Sequence, residues 1–184
     1  MFEELPEHHY RVILADPPWQ GYGPHGMAIS GMYHTTEDHY HTMCVDEICN
    51  LPAGDLAARD SLLLLWARSP RLREALQVMR AWGFEYKTIA FVYVKLDKKS
   101  IPIMGLGYWT RTSAEVCLLG KRGKPHRVAN NVKQMILTRR REHSRKPDEQ
   151  YDRIEQMIEG PYLELFARQR RPGWDAWGDE VDKF

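Results

Sequence analysis

Residues 10–15, YRVILA, form a β-branched and aliphatic run that stops on Asp16, two consecutive prolines and Trp19. Proline has no N–H to give a sheet, fixes its own φ and restricts the residue before it. The run is therefore expected to be a strand with an abrupt end, holding Asp16 and Trp19 stiffly just beyond it. A rigid carboxylate beside a flat ring suits a planar, polar substrate. The second constraint is SLLLLWA, residues 61–67, a continuous apolar run of the kind buried on both faces of a parallel sheet.

The other segments alternate in kind. Between Pro70 and Gly83, Leu72, Ala75, Leu76 and Met79 recur at helical spacing, so residues 70–82 predict a helix. Residues 88–96 and 114–120 read as strands, separated by the loop IPIMGLGYWTRTS at 101–113. A well-marked helix is expected over 146–160. Pro147 suits its first turn, Asp148 and Glu149 its dipole, and Tyr151, Ile154 and Ile158 make an apolar stripe. Gly160 stops it, and residues 162–167, YLELFA, read as a final strand. Residues 20–60 are rich in Gly, His, Tyr and Met, with a short helical hint at 45–49. With no internal repeat or linker, this is the pattern of one α/β domain over residues 1–184 with a largely parallel sheet. Ligands of such sheets bind outside the carboxyl ends of the strands. Asp16 to Trp19 and Arg168 both fall at such ends.

Composition narrows the partners. The apolar runs are too short to span a bilayer, no signal-peptide pattern opens the chain, and three cysteines suit a reducing cytoplasm better than a disulfide framework. A net charge of +1 announces no polyanion. Affinity for nucleic acid must come from local clusters, of which Lys121–Arg127, Arg139–Arg141 and Arg168–Arg171 are the candidates. His39, His41, Cys44 and Cys49 are metal-ligand types, but their spacing matches no standard zinc site, so no metal is expected.

The acidic corner suits one chemistry in particular. An exocyclic amine such as adenine's is a poor nucleophile because its lone pair is delocalised into the ring. A carboxylate and a carbonyl accepting its two N–H bonds favour a pyramidal nitrogen and stabilise the positive charge that develops. Asp16 and the Pro17 carbonyl are the candidate acceptors, with Pro18 stiffening the turn and Trp19 placed to stack on a flipped base. The plain alternative is a strand-ending turn whose tryptophan covers the core. Tyr108, Trp109 and Arg111 in the 101–113 loop offer planes for flanking bases, although Trp109 could equally pack on the sheet.

ADPPW, the following MYHTT, AEVCLLGKRG, REHSRKPDEQYDRIEQM and YLELFARQRRPGWDAWGDE occur here in the order seen in the MT-A family of adenine-N6 methyltransferases. The type member of that family is the seventy-kilodalton subunit of the eukaryotic messenger-RNA methylase, and bacterial and phage relatives are numerous. The resemblance runs over about residues 10–180. It implies a Rossmann-like fold in permuted motif order, S-adenosylmethionine (SAM) as methyl donor and adenine N6 as acceptor. By the same resemblance Asp16, Pro17, Pro18 and Trp19 are the catalytic tetrapeptide, and Tyr33 borders the target base. Ser144 and Lys146 reach the methionine carboxylate of SAM, where a lysine supplies a compact counter-charge. Glu164, Phe166 and Arg168 form the cofactor strand and its mouth, and Gly178, Asp179 and Glu180 form the ribose turn. Asp179 stands where Asn is usual, and it can accept from ribose hydroxyls but cannot donate an amide hydrogen.

Little chain remains for the two further strands that usually flank the adenine half of SAM. A reduced sheet is expected, with a cofactor pocket left open or completed by a second copy or a partner subunit. Two function classes follow. One is a methyltransferase acting on nucleic acid, DNA ahead of RNA, with short sequence preference. The other is a degenerate subunit that binds nucleic acid or supports an active partner. The intact Asp16 favours the first, and also favours adenine over cytosine N4.

Overall fold

The computed structural model describes residues 2, 5–6, 9–20, 42–105, 107, 109–142 and 145–184. Among them, seven strands make one sheet: β1 (Tyr10–Ala15), β2 (Ala57–Ala67), β3 (Glu85–Leu96), β4 (Ala114–Arg122), β5 (Met135–Arg139), β6 (Tyr162–Leu165) and β7 (Trp174–Trp177). Their spatial order is β5-β3-β4-β2-β1-β6-β7. β1 runs parallel to both neighbours, β2 and β6, and β6 parallel to β7. β4 is antiparallel to β2 and β3, and β5 is parallel to β3. This is the mixed, mainly parallel α/β sheet expected of a reduced Rossmann-like methyltransferase fold.

Side-chain alternation on β2 explains the two cores. Leu63 and Leu65 point to one face, where α1 (Val45–Cys49) and α2 (Leu72–Ala81) supply Ile48, Ala75, Val78 and Met79. Leu62, Leu64 and Trp66 point to the other, against Tyr151, Ile154 and Ile158 of α3 (Glu149–Met157) and its flank. Burial on both faces is why this strand reads as unbroken leucine. The end of α2 is tied down by Arg122, which donates to the carbonyls of Gly54 at 2.7 Å and Trp82 at 2.6 Å. Gly83 follows that end with φ +80°, and a Cβ there would sit 2.5 Å from the guanidinium, so only glycine serves.

Two segments not read as strands, β5 and β7, join at opposite edges. The side expected to be thin does end early: beyond β6 lies only the four-residue β7 among the described residues. β5 makes up the strand number at the far edge. Among the described residues, no helix is long and apolar enough to cross a membrane.

Candidate active site

Asp16 leaves β1 at its carboxyl end, between β2 and β6. The turn after it is pinned through its backbone. Trp19 N–H donates to the Pro17 carbonyl at 2.8 Å, and Met43 N–H donates to the Pro18 carbonyl at 2.8 Å. Gln20 N–H returns to the Met43 carbonyl at 3.1 Å. The Pro17 carbonyl, expected to accept from a substrate amine, thus keeps one of its two lone pairs for that purpose.

The Trp19 ring departs from an open stacking platform. Only 6% of the residue is exposed, and its indole N–H donates to the Trp66 carbonyl at 3.1 Å. Most of the ring belongs to the α2-side core, and its remaining surface borders the cleft beside Asp16. The core-covering alternative therefore describes most of this side chain.

Asp16 opens onto a cleft of about 380 Å³. Along its wall seven cationic side chains (Arg68, Lys95, Arg140, Arg141, Arg145, Lys146 and Arg168) outnumber three carboxylates (Asp16, Glu115 and Glu142), so it favours an anionic guest. A chain of alternating charge crosses the floor. Lys146 Nζ lies 2.7 Å from Asp16 Oδ2 and 3.2 Å from Glu115 Oε2, and Lys95 pairs with Glu115 Oε1. Burial works against the Lys146 charge, but the Asp16 and Glu115 carboxylates more than offset it and hold its pKa above the ordinary value. Burial likewise opposes the Glu115 charge, yet Lys146 and Lys95 hold that carboxyl at about 2.

Lys146, expected to reach the methionine carboxylate of SAM, faces two carboxylates in this arrangement. On the same wall Arg145 is paired with Glu142 and Arg168 with Glu180. Behind Asp16 a narrower recess of about 20 Å³ is bordered by Glu164, Phe166 and Arg168. Glu164 is buried and accepts from the Tyr151 hydroxyl at 2.8 Å. Burial, with the Asp16 charge adding, pushes its carboxyl up to about 7. Arg168 Nε meets Glu180 Oε2 at 3.2 Å, bringing the mouth of β6 to the turn after β7. Gly178 packs so closely there that a Cβ would lie 2.8 Å from the Ala167 backbone. Asp179 is exposed on the same turn.

Trp109 and Arg111 are not drawn into the cleft wall. Trp109 is 99% exposed at the tip of its loop, neither packed on the sheet nor facing Asp16. The base of that loop does reach the cleft, through Ile103, Gly105 and Thr112, because Gly105 and Thr112 exchange backbone hydrogen bonds at 2.7 and 3.3 Å. Tyr33, Tyr108 and Ser144 lie outside the described residues. Of the basic clusters, Arg140, Arg141 and Arg168 line the cleft. Arg122 instead caps α2, while Arg170 and Arg171 pair with Asp182 and with Asp152 and Glu155.

Sequence reasoning missed Glu115, Lys95 and Tyr93. The available signal was a lone charge near the end of each of two apolar strands, Lys95 in VYVKL and Glu115 in AEVCLL.

The MT-A70 family model matches residues 10–180. The type II methyltransferase M.MunI of Mycoplasma sp is 33% identical over 196 aligned residues, covering 98% of this chain and 82% of that protein. An N(6)-adenosine-methyltransferase MT-A70-like protein of Arabidopsis thaliana is 30% identical, covering 94% of this chain but 24% of its own length. The N(6)-adenosine-methyltransferase catalytic subunit METTL3 of Homo sapiens is 28% identical, again over 94% of this chain, and the chain spans 28% of it.

Proposed function

From the premise that the chain belongs to the MT-A70 family, we propose that it is a single-domain enzyme methylating the N6 amine of adenine in DNA, with SAM as donor. Asp16 carries the reading: an acidic side chain locked at a strand end, facing a cleft whose wall is predominantly cationic. The bacterial relative is a type II methyltransferase and shares more of its sequence with this chain than these eukaryotic adenosine methyltransferases do, which favours DNA over RNA.

The residues fit SAM. Gly178 lets its turn pack directly on the 166–167 backbone, Phe166 and Arg168 border the recess behind Asp16, and Asp179 and Glu180 stand on the adjoining turn as hydroxyl acceptors. Glu164, Phe166, Arg168, Gly178, Asp179 and Glu180 would hold the cofactor, with Arg145 and Lys146 toward its carboxylate. Once bound, SAM supplies an electrophilic methyl carbon on sulfur.

The chain's own contribution is orientation and charge. Lys146 occupies Oδ2 of Asp16, so Oδ1 is left to accept one amine N–H, and the spare lone pair of the Pro17 carbonyl accepts the other. Both acceptors are fixed before reaction, so the charge developing on the nitrogen meets a field needing little reorganisation. Lys146 holds Asp16 stationary, and the arginines of the wall suit flanking phosphates. A second copy or a partner subunit along the short β7 edge belongs to the same reading, as a means of enclosing the cofactor side.

Incubation with labelled SAM and unmethylated DNA, with RNA in parallel, tests this. Label is expected at adenine N6 in DNA, and Asp16→Ala is expected to lower the rate on the order of 10³-fold while remaining folded. Undiminished transfer by Asp16→Ala removes Asp16 from the mechanism, and label confined to RNA reassigns the acceptor.

A further inference from the structure

Tyr93 is fully buried on β3, yet it borders the same cleft as Asp16. Its hydroxyl has no hydrogen-bond partner among the described residues. Buried hydroxyls are seldom left so, because the lost hydration is not replaced. None of its neighbours offers a free acceptor for the hydroxyl proton. Lys95 stands 5.6 Å over the Tyr93 ring, Arg141 lines the wall nearby, and Trp66 meets the ring edge-on at 6.4 Å. Lys95 and Arg141 are donors only, and the Trp66 indole N–H is already spent on Gln150 at 2.7 Å. The one carboxylate paired across strands from Tyr93, Glu115, is taken up by Lys95 and Lys146. What the hydroxyl lacks is an acceptor, and what adjoins it is the substrate cleft.

We propose that Tyr93 is a specificity-determining residue whose O–H donates to a ring nitrogen of the acceptor base, N1 or N7, next to the amine held by Asp16. This rests on the adenine-methyltransferase reading above. A phosphate oxygen is the other acceptor nucleic acid offers. A ring nitrogen adjoins the amine that Asp16 holds, whereas a phosphate of the same nucleotide lies on the far side of its sugar. Two acceptors, Asp16 and the Pro17 carbonyl, and one donor, the Tyr93 hydroxyl, match an amine beside a bare ring nitrogen. They disfavour a base that carries a carbonyl beside a ring N–H, because Asp16 would face another acceptor.

The proposal has an unusual signature. Since the hydroxyl makes no hydrogen bond among the described residues, Tyr93→Phe is expected to unfold at the same temperature as wild type or higher, and to bind SAM unchanged. Its kcat/KM on DNA is expected to fall about tenfold, the size of one lost hydrogen bond. Oligonucleotides carrying 1-deazaadenine or 7-deazaadenine at the target position identify the partner. One of the two should cost wild type about the same tenfold and cost Tyr93→Phe nothing further. Wild-type kcat/KM in Tyr93→Phe, or penalties from both analogues that simply multiply with that of the mutation, overturns the assignment. A methylphosphonate at the target that alone shows this non-additivity gives the contact to phosphate and overturns it equally. Absence of adenine methylation by wild type would instead strike the parent reading.

Discussion

The two faces of the sheet are built to different ends. On the face covered by α1 and α2 the large polar aromatics are satisfied: the Trp82 indole N–H donates to the Ile48 carbonyl at 2.9 Å, and Trp19 donates to Trp66. Arg122 gathers the loose carbonyls at the end of α2. The α3 face is apolar near the amino ends of the parallel strands, but at the carboxyl ends it opens onto charge, with Asp16, Lys146, Glu115 and Lys95 in a row and beside them a phenol with no hydrogen-bond partner among the described residues. One face stores stability and the other holds arrangements that cost stability until a ligand completes them.

The contrast can be broken most severely at Lys146. Lys146→Met leaves Asp16 and Glu115 as neighbouring, partly buried carboxylates with Lys95 as the one remaining cation in the row. A loss of about 3–5 kcal/mol is expected by denaturant unfolding, together with loss of methyl transfer. An unchanged midpoint would mean that the charge row carries no structural weight and the faces differ less than argued.

Glu164 sharpens the comparison through pH. Its folded value of about 7 lies above the ordinary 4.5, so the folded protein keeps a proton that the unfolded chain releases. Stability is then lost, not gained, as pH rises from about 4.5 through 7, by up to about 3 kcal/mol at pH 8. Glu164→Gln keeps an acceptor for the Tyr151 hydroxyl and has no proton to lose. It is expected to match wild type near pH 5 and to exceed it at pH 8, in urea titrations run at both. Parallel pH curves for the two proteins would contradict a strained carboxyl at the site.

The smallest effect is expected on the closed face. Trp82→Phe removes one of the donors to the Ile48 carbonyl, which keeps the Leu51 N–H at 3.3 Å, and leaves space beside it, for a loss of about 1–2 kcal/mol with kcat unchanged. Set beside Tyr93→Phe, it forms a reciprocal pair: one loses stability and keeps activity, the other the reverse. Equal losses of stability in both would erase the distinction.

Much of this was legible along the chain because it is local. Two prolines stop β1 wherever the rest of the molecule lies, and the leucine run at 62–65 can be satisfied only by cover on both faces. The stripe of α3 and the Pro and Gly around α2 are equally short-range. β5 and β7 escaped because each is a short edge strand with half-exposed residues, such as Met135 and Leu137, and its ladder is supplied by a distant segment. Trp19 was legible as a ring near Asp16. Whether it faced solvent or core depended on the Trp66 carbonyl, 47 residues away.

The sequence by itself determined that a carboxylate stands stiffly at the end of a central buried strand, since steric limits on proline need no partner. Its motifs also placed the family, the cofactor and the reaction. Only the tertiary structure decided what that carboxylate meets. Lys146 lies 130 residues from Asp16, and Glu115 and Tyr93 come beside it through an antiparallel register that no local pattern encodes. Electrostatic and hydrogen-bond partners act over a few ångströms of space, and the chain brings them there only by completing the sheet.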